Sequence, residues 1–217
     1  MNIDFRKELK KALDLVSGQP FRNEENFINA YWEICCGCVL VAEEDLKEQR
    51  NVWEIAGLSR TLLHHIEALK SVEGLEEKLL AALSRMESAL YDHPRLKLKL
   101  LNSQKEILAR NEKANSPELK ELESRINLLE NNISAADKGE FSKIINNGSL
   151  KRDPVEFTAK WEEVIDEVDR KVYASLEDFP RGMGFCHAFW PARANRLRKY
   201  GIEWKSPRQM NPHVIFD

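Results

Sequence analysis

Cys35 and Cys38 stand at the Cys-x-x-Cys spacing of half a zinc site, and two further ligands are needed to close the tetrahedron. Cys186 and His187, beside a break in the chain, are the residues able to supply them. Against that chemistry stands their position: cysteines three apart in an apolar helical run behave as small core hydrophobes. His64, His65 and Glu67 also invite a metal, but adjacent helical residues diverge by about 100°, so they read as solvated or half-buried side chains. Cys186 next to His187 raises the idea of a nucleophilic thiol. Sequence neighbours rarely reach each other in hydrogen-bond geometry, and no third, orienting group can be named. The chain carries no Gly-rich phosphate loop, no Gly-x-Ser-x-Gly elbow and no His-Glu-x-x-His motif. The expectation is therefore a protein that is not an enzyme and holds no cofactor.

The C-terminal segment has a chemistry of its own. From residue 181 to 217 there are seven basic side chains (Arg181, Arg193, Arg196, Arg198, Lys199, Lys205, Arg208) against two acidic ones (Glu203, Asp217), a net +5. Phe185, Phe189, Trp190, Tyr200, Trp204 and Phe216 are interleaved with them. Guanidinium groups among aromatic rings suit stacking on single-stranded nucleic acid and gripping of phosphates. The same composition marks protein interface hot spots. A third reading is internal: residues 151–180 carry five basic and nine acidic side chains, a net −4, so the tail can dock on its own acidic helix with Trp190, Trp204 and Phe216 as anchors. The candidate binding residues are Trp190, Arg193, Arg196, Arg198, Lys199, Trp204, Lys205 and Arg208.

The elements that must position these residues are helical. A first helix over residues 4–16 is stopped by Gly18 and Pro20, and Asn23 caps a long second helix. On that helix Phe27, Tyr31, Ile34, Cys38 and Val41 form one stripe and Ile28, Cys35, Val39, Ala42 and Leu46 another, which makes it central. A third helix covers 52–72 and a fourth 75–90, completing a bundle over residues 1–92. Asp92 and Pro94 start a fifth helix. Asn115, Ser116, Pro117 and Glu118 cap a sixth, whose Leu119, Leu122, Ile126, Leu129, Ile133 and Ala136 recur at alternating three and four. Together these two predict a projecting, coiled-coil-like antiparallel hairpin over 93–147, its seam open to the alternative of dimerisation.

Asn146, Asn147, Gly148 and Ser149 mark a hinge. Asp153, Pro154 and Glu156 predict the start of a helix that packs back on the bundle over 148–180, with Trp161, Val164, Ile165, Val168, Val172, Leu176 and Phe179 on one face. Pro180, Gly182 and Gly184 break it. A short helix over 187–200, stopped by Gly201, and an extended tail complete a last segment, 181–217.

The whole is an all-α expectation, in keeping with 42% hydrophobic and 32% charged residues and only 9 Gly and 8 Pro. A net charge of −3 excludes a globally basic nucleic-acid binder. Four cysteines, three of them crowded at 35, 36 and 38, do not suit a disulfide framework and point to reduced thiols in a cytoplasm. The start lacks the apolar run of a secretory signal, and no stretch is long and apolar enough for a membrane. Function is expected to be binding: an interaction or assembly protein working through hairpin and tail, self-association included, with nucleic-acid binding by the basic tail as the alternative. A metal- or thiol-dependent enzyme comes third.

Overall fold

The computed structural model describes residues 4–18, 24–110, 116–146, 148 and 150–216. Every regular element among them is helical: α1 (Phe5–Gly18), α2 (Glu24–Lys47), α3 (Ile55–Leu69), α4 (Glu76–Ala89), α5 (Pro94–Arg110), α6 (Pro117–Asp137), α7 (Ala159–Ser175), α8 (Phe185–Arg198) and α9 (Pro207–Met210). Short 3-10 turns lie at Val52–Glu54, Phe141–Lys143 and Pro154–Phe157. Among the described residues no helix is long and apolar enough to cross a membrane. The expected caps at Asn23 and Asn115 lie outside the described residues, as do Pro20, Asn147 and Ser149.

Helix α2 is the axis of the first core, because two adjacent apolar stripes leave it no wide solvent face. Ile34, Cys35, Cys38, Val41 and Ala42 are fully enclosed. Around it gather Leu9 of α1, Leu62 and Ile66 of α3, and Leu79, Leu83 and Met86 of α4. Gly37 permits the close approach of α1, since a Cβ there would meet Leu9 side-chain atoms at 3.0–3.1 Å.

Helix α5 belongs to that same core. It bears two apolar stripes: Leu96, Leu100 and Ile107 face the bundle, while Leu101 meets Leu122 and Ile126 of α6, flanked by Leu98, Leu108 and Leu129. The five-helix core arises because α5 has a second apolar face to bury, which a hairpin arm in solvent would leave wet. Helix α6 starts on Ser116, whose hydroxyl accepts from Leu119 N at 3.1 Å with Pro117 in the first turn. Glu87 of α4 ties three helices together, with Lys97 of α5 at 2.9 Å and Arg125 of α6 at 2.8 Å.

The connection from α6 to α7 is held by side-chain amides. Asn132 donates to the carbonyl of Ile145 at 2.8 Å and accepts from its N–H at 2.9 Å. Asn211, in the tail, does the same to Lys151, at 2.9 and 2.8 Å. Each mimics one rung of a backbone ladder.

The predicted helix start at Asp153 is corrected. Asp153 caps only the 3-10 turn, accepting from Val155 N at 3.1 Å, and the helix restarts at Thr158, whose hydroxyl accepts from Trp161 N at 3.3 Å. The capping box cannot close because Glu156 is engaged elsewhere, by Arg152 and Trp204. Trp161, Ile165, Val168, Val172 and Leu176 of α7 then form a second core with Phe185 and Leu197 of α8 and with Ile202 and Trp204 beyond it. Phe179, predicted on the buried face, is exposed, since α7 ends at Ser175.

Candidate functional site

Helix α8 carries three of the seven basic residues of the last segment, Arg193, Arg196 and Arg198, and its two ends are set by glycines. Gly184 precedes it at φ 81°. Gly201 follows at φ 69°, where its N–H donates to Arg198 O at 2.9 Å and Ile202 N donates back to Leu197 O at 3.1 Å. This 6→1 and 5→2 pairing is a Schellman ending, and its apolar contact is Leu197 with Ile202. It reverses the chain so that the segment after α8 runs back over α7.

Two of the eight candidate binding residues are thereby turned inward. Arg193 is 5% exposed. Its Nε and Nη2 donate to the two carboxylate oxygens of Asp169 at 2.7 and 2.8 Å, and Nη2 also donates to Asp92 at 2.6 Å. The guanidinium lies 5.1 Å from the ring centre of Trp161, 5.3 Å from Trp204 and 5.5 Å from Phe189. Such a cation is held by charge, planar fork and aromatic faces together. Trp204, 5% exposed, donates from Nε1 to Glu156 at 2.8 Å, and the next residue, Lys205, donates its backbone N–H to Asp153 at 2.6 Å. Trp161 Nε1 donates to the carbonyl of Asp92 at 2.9 Å.

The electrostatics follow from this burial. Two carboxylates share Arg193 in a water-poor seam. Burial, with Asp92 close by, pushes the Asp169 carboxyl up despite its guanidinium partner. For Asp92 burial acts in the same upward direction, but Arg193 and Arg152 outweigh it and hold that carboxyl below its ordinary value. Arg193 itself is kept far on the protonated side: burial works against its charge and the two aspartates overcome it.

The remaining candidates face outward. Arg198, Lys199, Lys205 and Arg208 are exposed, and Arg196 and Trp190 half-buried. Between α8 and the tail lies a cleft of about 280 Å³, whose walls include His187, Trp190, Arg198, Trp204, Ser206 and Arg208. Among the described residues no carboxylate lines it. Trp190 stands edge-to-face against Phe216, 5.1 Å between centres, and His187 edge-on to Trp190 at 6.4 Å. Arg198 is fixed by Asn195 at 2.8 Å and only loosely by exposed Glu203, at 3.4 Å. One wall is shaped by a capping box: the Ser206 hydroxyl accepts the N–H of Gln209, and the Gln209 side chain accepts that of Ser206.

The metal-ligand candidates are not brought together. Cys35 and Cys38 sit in the bundle core, where burial raises both thiols, Cys38 to about 12. Cys186 and His187 lie on α8, the thiol half-buried and the imidazole exposed. Among the described residues no three His, Cys, Asp or Glu side chains are grouped to hold a metal ion. His64 is exposed, while buried His65 donates from Nδ1 to the carbonyl of Thr61 at 2.8 Å.

Sequence reasoning missed Asp92, Asp169 and Glu156 as partners of the tail. Asp92 and Glu156 read as helix-start residues, and the charge asymmetry between 151–180 and 181–217 was the one available signal. The chain matches no protein-family model, no curated protein and no solved structure.

Proposed function

We propose that this chain is a non-enzymatic interaction protein that receives an acidic segment of a partner protein in the cleft between α8 and the tail. The observation that carries the reading is the lining of that cleft: two arginines, a histidine and two tryptophans, with no carboxylate among the described residues. Tryptophan and arginine around a concavity are the residues on which interface energy concentrates. Arg193 and Trp204 serve this surface from beneath by locking α8 and the tail into one shape, which lowers the ordering cost of binding. A second surface lies along the α5–α6 hairpin, an open groove of about 400 Å³ whose apolar walls include Leu128, Leu129, Ile145 and Leu150.

Capture from a cell extract by the intact chain, compared with the double variant Arg198→Glu, Arg208→Glu, tests the reading. Proteins retained by the intact chain, released by salt and lost with the double variant are the expected result. Identical capture by both chains would sink it. Arg198 and Arg208, which share the cleft with Trp190, and exposed Lys199 and Lys205 on the same segment favour a second reading, single-stranded nucleic acid. Filter binding across salt concentrations decides that one, because each phosphate contact steepens the fall of affinity with salt.

A further inference from the structure

The groove of about 400 Å³ along the α5–α6 hairpin combines apolar walls with a charge that has no counterpart. Buried Leu101, half-buried Leu128, Leu129 and Leu150, and Ile145, 59% exposed, all line it. Apolar side chains left wet around a concavity are surface that the hydrocarbon of a ligand can cover. Among the described residues Glu87 is the one carboxylate in the lining. Its two oxygens meet Lys97 at 2.9 Å and Arg125 at 2.8 Å. Neither cation has another ion-pair partner among the described residues, so two positive charges share one negative and one is left over. Arg152, the third cation of the lining, is engaged by Glu156 and lies over the ring of Tyr91.

The polar groups of the lining narrow the choice of ligand. Asn132 bonds the carbonyl and the N–H of Ile145, and Asn146 Oδ1 accepts from Arg152 N, so both amides serve this chain's own backbone. A peptide laid in the groove would bring N–H and C=O groups that find few partners, and each one buried unmet costs about 1–3 kcal/mol. An alkyl chain needs none. A cation would face Lys97 and Arg125, with both Glu87 oxygens already engaged. The unspent capacity is in donors: Lys97 and Arg125 each give one to Glu87 and keep the rest. Arg125 stands one helical turn before Leu128 and Leu129 on α6, and Lys97 one turn before Leu101 on α5, so cation and apolar wall share a face on both helices. The space equals about thirteen waters at ~30 Å³ each, room for an alkyl chain of about eight to ten carbons.

We propose that this groove binds a medium-chain fatty acid as its carboxylate, the head group taken by Arg125 and Lys97 and the chain lying along Leu128, Leu129, Ile145 and Leu150. The site is separate from the α8–tail cleft, and its occupancy does not depend on what that cleft receives.

Calorimetric titration of the full chain with octanoate, 1-octanol and octylammonium, matched in chain and differing in charge, tests this. The expected result is saturable one-to-one binding of octanoate, with the alcohol and the ammonium weaker by about tenfold or more, the worth of a charge-assisted hydrogen bond. Butyrate, which keeps the charge and lacks most of the chain, should also be weaker than octanoate by about tenfold or more. Arg125→Gln should bring octanoate down to the level of 1-octanol and leave 1-octanol unchanged. In the unmodified protein the methyl resonances of Ile145 should move with octanoate, a readout that survives should the variant fold poorly. The cleft variant Arg198→Glu, Arg208→Glu should bind octanoate as the intact chain does, so the two sites are tested separately. No saturable octanoate binding, equal binding of 1-octanol or butyrate, or a response at Trp190 with Ile145 unmoved would overturn the proposal.

Discussion

Arg193 illustrates how a side chain that reads as a ligand-binding cation can be a structural one. Its partners are 24 and 101 residues away in sequence, and nothing in the local pattern of α8 separates it from Arg196 or Arg198. Removing it strands Asp169 in a buried seam and leaves Asp92 only the more distant Arg152, and an uncompensated buried charge costs about 3–5 kcal/mol. Arg193→Ala should therefore lower unfolding stability by about that amount in urea titration. Arg193→Lys should not restore it fully, because an ammonium cannot form the two-pronged contact to Asp169 or present a planar cation to the rings of Trp161 and Trp204. Trp204→Phe keeps the ring and removes the donor to buried Glu156, a loss of about 1–3 kcal/mol by the same measurement. The charge asymmetry of the tail was legible in the sequence. Which arginine answers which aspartate was not, since that pairing is set by the path of the chain between them.

At the level of elements, helices announced by two signals at once were read most closely. Ser116 and Pro117 open α6 as a cap and first-turn proline, and α2 is central because both its stripes are apolar. Asp153, Pro154 and Glu156 offered the same kind of signal and misled, because Glu156 and Asp153 are drawn into bonds with Trp204 and the backbone of Lys205. Tertiary demand overrode a local preference worth about 1 kcal/mol. The hairpin was half legible: the α6 seam was plain, but the alternation of α5 between two faces emerges only with both neighbours in place. At the other end of α8, Gly201→Ala places a Cβ on a left-handed residue and 3.2 Å from Lys160 Nζ. A cost of about 1–2 kcal/mol is expected in urea unfolding, along with a weakened return of Ile202 and Trp204 onto α7, visible as a change in tryptophan fluorescence.

For the molecule as a whole, the two cores are joined through ionised groups, so acidity is a global stress. Burial raises the Glu87 carboxyl, but Lys97 and Arg125 outweigh it and leave it below its ordinary value, and Asp92 is likewise depressed. A depressed folded-state pKa contributes stability that is present above the unfolded value, about pH 4, and is lost as pH falls through the folded one. Asp169, shifted upward, has the opposite sign: its contribution is present at low pH and is lost as pH rises through its raised folded value. Urea midpoints measured downward from neutral pH should accordingly fall most steeply below about pH 4, and Glu87→Gln should flatten that slope while lowering stability at neutral pH. The asparagine pair at Ile145 and Lys151 has a consequence for engineering. Ile145 and Lys151 are each anchored from elsewhere in the chain, so added length between them costs little, a doubling of loop length adding only ~0.6 kcal/mol of closure entropy. A reporter peptide inserted after Gly148 should leave both cores standing.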